Sequence, residues 1–302
     1  MLHYSKGLFV FHLVSNHVLL QQFFFLIMNK IKDIYDKLVS EIWFYNKEEA
    51  REIAFLLLQK QWNISRTDLI IGETENTLDD LGIYVERINQ GEPIQYILGE
   101  TWFRDRKFLV NPSVLIPRPE TEELIDKVNA LKPKSILDLG TGSGCISISL
   151  TLEMPDSEVY AIDISEGAIQ TAKQNAELNN AKVHFSTGNI LNFENPFEID
   201  TFDLIISNPP YVKENEKSEM RKNVLDFEPH LALFVTEEDP LIFYRSIGEI
   251  GLKFLSRKGS IWVEINSYLG KETEALFKDL GYTHTRLLKD FFGKDRYLEI
   301  RK

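Results

Sequence analysis

At 302 residues, with 43% hydrophobic and 26% charged side chains, the chain has the length of two domains, and its composition argues against disordered, collagen-like and membrane-bundle classes. Its single cysteine, Cys145, excludes an intrachain disulfide framework and a multi-cysteine zinc site, and fits a reducing, cytoplasmic setting. Thirty-four basic against 46 acidic side chains leave a formal charge of −12, which argues against stable nucleic-acid binding through many phosphate contacts.

The stretch from Gly7 to Met28, GLFVFHLVSNHVLLQQFFFLIM, is apolar and aromatic. A membrane span needs about 20 mostly apolar residues, and here His12, Ser15, Asn16, His17, Gln21 and Gln22 interrupt the run. No small-residue cleavage site precedes Met28. Residues 1–27 therefore read as a leader outside the folded protein, with translation expected to begin at Met28 and no membrane partner expected. A membrane-associated segment and a folded extension are the alternatives.

From residue 28 to 92 the pattern is helical. Ile31, Ile34, Tyr35, Leu38 and Ile42 recur at intervals of three and four, and Ala54, Phe55, Leu57 and Leu58 form a second cluster behind acidic Glu48 and Glu49. Ser65 or Thr67 and the run Thr77–Asp80 offer helix caps. No strand-like alternation appears, so a small all-helical domain of four or five short helices is expected. Gly91-Glu-Pro93 breaks it. Residues 93–120 read as a structured linker carrying a β-hairpin, its strands around Trp102-Phe103 and Phe108–Val110, stiffened by Pro112, Pro117 and Pro119.

From about residue 121 to 302 strands and helices alternate, which predicts an α/β domain with a mostly parallel sheet. The strands are placed at Ser135–Leu139, Val159–Ile162, Val183–Ser186, Leu204–Ser207, Ser260–Ile265, Tyr282–Leu287 and Tyr297–Ile300. The last two are joined too tightly for a parallel crossover, so one should be antiparallel.

The first strand ends in DLGTGSG, Asp138 to Gly144. Its glycines allow close backbone approach to a ligand and a turn into the following helix. The next strand ends in Asp163, where a carboxylate can hold ribose hydroxyls. A nicotinamide dinucleotide and S-adenosylmethionine both suit such a loop. The G-x-G-x-G spacing and the acid Asp138, facing a cation-bearing ligand, favour the second. Ser207-Asn-Pro-Pro-Tyr211 follows the fourth strand. Consecutive prolines remove two N–H donors and leave two acceptors, the Asn208 side-chain oxygen and the Pro209 carbonyl, to hold a planar –NH₂ group, with Tyr211 as a flat wall. A surface turn and a tight strand–helix junction are the plain structural alternatives. Cys145 reads as a small buried residue. His184, His230 and His284 have no metal-ligand spacing, so no metal is assigned.

Together DLGTGSG, Asp163 and NPPY resemble class I (Rossmann-like) S-adenosylmethionine methyltransferases acting on planar amino groups. QYILGETWF, IPRPETEELID over Ile116–Asp126, Phe227-Glu-Pro229 with Ala232-Leu233, and Val263-Glu-Ile265 narrow the resemblance to the HemK/PrmC family over about Met28 to Lys302. The resemblance implies methyl transfer from S-adenosylmethionine to the side-chain amide of the glutamine in the Gly-Gly-Gln motif of peptide chain release factors, with the helical domain docking the substrate. Gly140, Thr141, Gly142, Ser143 and Gly144 would line the cofactor and Asp163 its ribose, with Asn189 near the adenine, where relatives often carry Asp. Asn208 would touch both cofactor and substrate, and Pro209, Pro210 and Tyr211 would complete the substrate pocket. Asn208, Pro209 and Tyr211 are the catalytic candidates. Arg118 and Glu120 either steer the substrate loop or form a linker-to-domain salt bridge, and Glu228 and Glu264 either orient site neighbours or serve structure. A ribosomal-protein glutamine methyltransferase, an N(6)-adenine methyltransferase, a nicotinamide oxidoreductase and a non-catalytic binding module are the competing functions.

Overall fold

The computed structural model describes residues 29–302, so the leader expected over 1–27, and Met28, lie outside the described residues. The chain divides into two compact units between Leu98 and Gly99.

In the first unit, α1 (Ile31–Glu41) buries Ile31, Ile34 and Leu38, the expected face. In α2 (Lys47–Trp62) the Asn46 side chain accepts from the amides of Glu48 and Glu49, answering two of the orphan N–H groups at a helix start. α3 (Asp68–Ile71) follows a reciprocal Ser65–Asp68 pairing. Thr77 and Asp80 form a capping box on a single 3₁₀ turn that leads into α4 (Gly82–Asn89). The unit is not wholly helical. β1 (Asn29–Lys30) pairs antiparallel with β2 (Glu73–Thr74); both are short and polar, so no apolar alternation marks them. The expected boundary at 92/93 also moves. Ile94–Leu98 is a helix, α5, whose Ile94 and Ile97 join the core of Leu38, Leu57, Leu58, Leu81 and Ile88.

The second unit opens with the hairpin β3 (Glu100–Phe103) and β4 (Arg106–Leu109). The hairpin is therefore part of this unit rather than a free-standing linker: Phe103 and Phe108 sit in its core. Its turn places Arg104 and Asp105 at φ 48° and 57°, the mirror-image geometry that matches strand twist. Arg104 is held there by Glu153 and Asp126, at 2.7 Å each. Burial would push the Glu153 carboxyl up, but Arg104, Asn129 and Arg106 together hold it down at about 2.

Pro119 starts α6 (Pro119–Val128), where its missing N–H costs nothing. A seven-stranded sheet follows: β5 (Ser135–Leu139), β6 (Glu158–Asp163), β7 (Val183–Thr187), β8 (Phe202–Ser207), β11 (Leu255–Glu264), β12 (His284–Lys289) and β13 (Asp295–Arg301), with β9 and β10 a separate pair described below. Its order is β12-β13-β11-β8-β5-β6-β7. β13 alone runs antiparallel to its neighbours, as expected from its short connection. Successive strand residues serve opposite layers. Leu137, Ile205, Ile261 and Val263 pack on one side of the sheet, and Ile136, Leu204, Ile206 and Trp262 on the other. Doubly covered strands of this kind read as continuous apolar runs. The connecting helices are α7 (Cys145–Glu153), α8 (Glu166–Leu178), α10 (Ile242–Phe254) and α11 (Gly270–Asp279). Between β8 and α10 the chain makes an excursion absent from the sequence expectations: β9 (Val212–Lys213), a 3₁₀ run over Glu214–Glu219, α9 (Lys222–Phe227) and β10 (Phe234–Val235), which closes on β9 in parallel.

Candidate active site

The carboxyl ends of β5, β6 and β8 open into one cavity of about 390 Å³, where open α/β sheets place ligands. It is lined by Gly140–Ser143, Asp163–Ser165, Gly188–Leu191, Asn208 and Pro210. The hairpin-to-α6 segment adds Pro112–Leu115, Arg118 and Thr121.

The glycine loop is set by backbone. Gly140, Gly142 and Gly144 lie at φ 77°, 55° and 81°, conformations that L side chains rarely adopt. The amides of Gly140 and Thr141 both donate to the Ile162 carbonyl at 2.9 Å, tying the loop to the end of β6. The Gly142 amide donates to Asp163 Oδ2 at 2.8 Å and the Ser165 amide to Oδ1 at 2.9 Å. Both carboxylate oxygens are thus oriented, and each keeps a lone pair for a ligand hydroxyl. Burial pushes the Asp163 carboxyl up, against those backbone donors. Gly144 has a second constraint, since a Cβ there would sit 2.9 Å from Ile148 Cδ1 and 3.1 Å from Ala172 Cβ.

Asp138 is fully buried under the loop. Thr141 Oγ1 donates to its Oδ2 at 2.6 Å, and its Oδ1 has no partner. Burial pushes its carboxyl up to about 7. Cys145 is a buried thiol pushed up to about 12 by burial, in line with a packing role. Asn189 lines the cavity, and its side-chain oxygen accepts from the Leu191 amide at 2.9 Å.

The acceptor end is made of side chains. Ser207 Oγ donates to the Leu139 carbonyl at 2.6 Å, holding the ends of β8 and β5 together so that NPPY starts beside the glycine loop. Asn208 Nδ2 donates to Thr121 Oγ1 at 3.1 Å, Thr121 Oγ1 donates to Glu264 Oε2 at 2.9 Å, and the Tyr211 hydroxyl donates to Glu264 Oε1 at 3.0 Å. The Tyr211 and Val212 amides donate to the Leu233 carbonyl, and Asn266 Nδ2 donates to the Tyr211 carbonyl at 3.0 Å.

The structure brings Gly140, Thr141, Gly142, Ser143, Asp163, Asn189, Asn208 and Pro210 to one cavity. Gly144, Pro209 and Tyr211 are not among its lining. Gly144 packs against α8, Pro209 is buried, and the Tyr211 hydroxyl turns to Glu264 rather than offering only an apolar wall. Arg118 lines the cavity while Nη2 pairs with Glu228 Oε1 at 2.6 Å, so it takes part in the salt bridge that was one of its two readings. The Glu120 carbonyl accepts from the Tyr297 hydroxyl. His184 stacks on Tyr160, and His230 bonds to the Leu225 carbonyl. Among the described residues no group of three or more His, Cys, Asp or Glu is placed to hold a metal, and no helix is long and apolar enough to cross a membrane.

Sequence reasoning missed two residues. Thr121 was read only as one residue of the run Ile116–Asp126, with no role of its own. Asn175, on α8, is fully buried; its Nδ2 donates to the Ser143 and Leu109 carbonyls at 2.9 Å and its Oδ1 accepts from the Leu109 amide at 2.6 Å. It joins the hairpin to the glycine loop. The one available signal was a polar residue on the apolar face of a helical repeat.

Residues 131–248 match the model of a methyltransferase domain, and residues 45–99 match the PrmC N-terminal domain. The release factor glutamine methyltransferase of Flavobacterium psychrophilum is 43% identical over 268 residues, covering 85% of this chain and 93% of that protein. This chain belongs to the release factor glutamine methyltransferase family. The Bacteroides thetaiotaomicron member is 40% identical over 284 residues, covering 91% of this chain and all of that protein. The sheet is that of class I, Rossmann-like S-adenosylmethionine methyltransferases, and the chain is an S-adenosylmethionine-dependent protein-glutamine N-methyltransferase. The site fits that cofactor. Asp163, at the end of β6, offers the cavity a carboxylate whose oxygens each keep an acceptor for ribose hydroxyls, whereas Asp138, expected to face a cationic ligand, lies buried beneath the loop and outside the cavity lining.

Proposed function

We propose that the cavity transfers the methyl group of S-adenosylmethionine to the side-chain amide nitrogen of the glutamine in the Gly-Gly-Gln motif of a peptide chain release factor. One observation carries the reading. Asn208 spends its donor end on Thr121, leaving its oxygen as an acceptor in the cavity that the glycine loop also lines.

Gly140, Thr141, Gly142, Ser143 and Gly144 form the cofactor cradle, Asp163 takes the ribose hydroxyls, and Asn189 meets the adenine. When bound, the cofactor supplies a methyl on a cationic sulfur, a strong electrophile with a neutral leaving group. The rest falls to protein side chains. The Asn208 oxygen and the Pro209 carbonyl accept the two hydrogens of the substrate –NH₂, while Pro210, which has no N–H, and Tyr211 hold the turn in place. These contacts orient the nitrogen lone pair and resist the resonance that makes an amide a poor nucleophile. Positioning and preorganised dipoles supply the acceleration. The nitrogen–carbon bond forms as the carbon–sulfur bond breaks, and the amide proton leaves once the nitrogen is cationic and acidic.

The helical unit, which ends at Leu98, serves to dock the factor, and the expected boundaries at 92/93 and 120/121 give way in this account to a single division at 98/99. A cytoplasmic setting fits the single, unpaired, buried Cys145. The test is mass-spectrometric mapping of a release factor incubated with enzyme and cofactor. One methyl on the glutamine of Gly-Gly-Gln is expected; a methyl on another residue, or none, overturns the substrate assignment.

A further inference from the structure

We infer that Glu264 is a positioning residue that acts through Thr121 to hold the Asn208 side-chain oxygen toward the substrate amide. This rests on the function proposed above and adds to it what sets the polarity of the acceptor.

An asparagine amide has two orientations of nearly the same shape, and only one presents an acceptor to the cavity. The choice is made at its other end. Thr121 Oγ1 lies 3.1 Å from Asn208 Nδ2 and 2.9 Å from Glu264 Oε2. A threonine hydroxyl has a single hydrogen to give, whereas an ionised carboxylate only accepts. The hydrogen must therefore go to Glu264, and Thr121 must accept from Asn208. The end that can donate to Thr121 is the –NH₂, so the oxygen faces the other way. The second carboxylate oxygen is held by the Tyr211 hydroxyl at 3.0 Å, and the Tyr244 hydroxyl donates to the Glu264 main-chain carbonyl at 3.2 Å. Glu264 and Thr121 are 1% and 3% exposed, so water does not compete for these bonds. An uncompensated carboxylate in such a place is costly. Its hydrogen bonds make a directed chain that a neutral amide would not enforce.

Protonating Glu264 removes the direction. A protonated Glu264 can donate to Thr121, Thr121 can turn its hydrogen to Asn208, and the amide can reverse to present donors to a group that also presents donors. The groups acting on Glu264 are Glu120 and Thr121 on α6, Tyr211 after β8, Tyr244 on α10, and Arg296 and Tyr297 on β13; its own charge acts in turn on Cys145 on α7. Burial, the largest influence, pushes its carboxyl up, opposed by Thr121, Tyr211 and Arg296. The active orientation needs the ionised form, so turnover is present above the Glu264 pKa and lost as pH falls through it.

The test uses the full chain, S-adenosylmethionine and a release factor, with wild type beside Thr121→Val, Thr121→Ser and Glu264→Gln. Losing one bond of a buried network corresponds to about a tenfold to hundredfold fall in kcat. That fall is expected for Thr121→Val and Glu264→Gln, with the cofactor Kd and the factor KM held. Serine should restore most of the rate that valine loses, and Glu264→Gln should remove the acid limb of kcat. If a variant does not fold, the acid limb of wild type against Thr121→Ser carries the test, since both keep the hydroxyl and should share it. Valine turning over at the wild-type rate, or losing cofactor affinity in proportion to rate, overturns the relay while the function stands. A wild-type enzyme that leaves the factor unmethylated overturns the function itself.

Discussion

The cofactor end of the cavity is built around one short loop, Gly140–Ser143, tied by main-chain bonds to Ile162 and Asp163 at the end of β6, whereas the acceptor end draws Thr121, the turn from Asn208 to Tyr211 and Glu264 from separate parts of the chain. The first is a backbone device. Its geometry follows from left-handed glycines, two amides on one carbonyl, and a carboxylate oriented by two N–H groups. The second is a side-chain device, in which Thr121 lies 87 residues from Asn208 and 143 from Glu264. The difference suits the task. A constant cofactor can be cradled by main chain, but choosing between a donor and an acceptor in the cavity needs an amide whose orientation is controlled.

The comparison breaks most readily at Asn208. Asn208→Ala should cost about 2–4 kcal/mol of transition-state stabilisation, as for removal of one group from a preorganised polar site. Single-turnover rates should fall while calorimetric cofactor affinity stays; equal loss of both would mean that the two ends are not separable. Gly144→Ala attacks the other end. The left-handed conformation alone costs about 1–2 kcal/mol for a non-glycine residue, and the new Cβ meets Ile148 and Ala172. A lower Tm and weaker cofactor binding are expected, with the kcat of saturated enzyme changed less.

Asn175→Ala sharpens the boundary between fold and site. It strands the Leu109 amide and the Ser143 and Leu109 carbonyls in the interior, at about 1–3 kcal/mol. Urea unfolding should show that loss, together with weaker cofactor binding, because Ser143 belongs to the cradle. A further difference between the ends concerns Asp138. Its carboxyl is raised to about 7, so the stability gained by protonating it is full below about pH 4, the ordinary aspartate range, and lost as pH rises through 7. The Tm of cofactor-free wild type should therefore fall more steeply from acid to neutral pH than that of Asp138→Asn. Parallel curves would contradict the buried, half-partnered carboxyl.

Legibility in the sequence follows the same division. DLGTGSG and NPPY are contiguous, so both could be singled out in the sequence, and the structure brings Gly140–Ser143, Asn208 and Pro210 of them to one cavity; the alternating pattern likewise showed the sheet and an antiparallel member among its last two strands. Thr121 was not readable, because its role lies in one hydroxyl placed by a helix that starts at Pro119. Asn175 was hidden for the same reason, its partners lying 66 and 32 residues away. Glu264 was visible only as a match to a family strand. The boundary slipped from 98 to 92 because Gly91-Glu-Pro93 looks like a domain break, yet Pro93 leads into α5 and Ile94 and Ile97 complete the helical core.

The most direct measurement is methyl transfer from labelled S-adenosylmethionine to a purified release factor, beside the same factor with its Gly-Gly-Gln glutamine changed to alanine, with cofactor affinity measured in the same preparation. The account predicts bound cofactor, label on the first factor and none on the second. Bound cofactor with equal label on both, or with none on either, would contradict it.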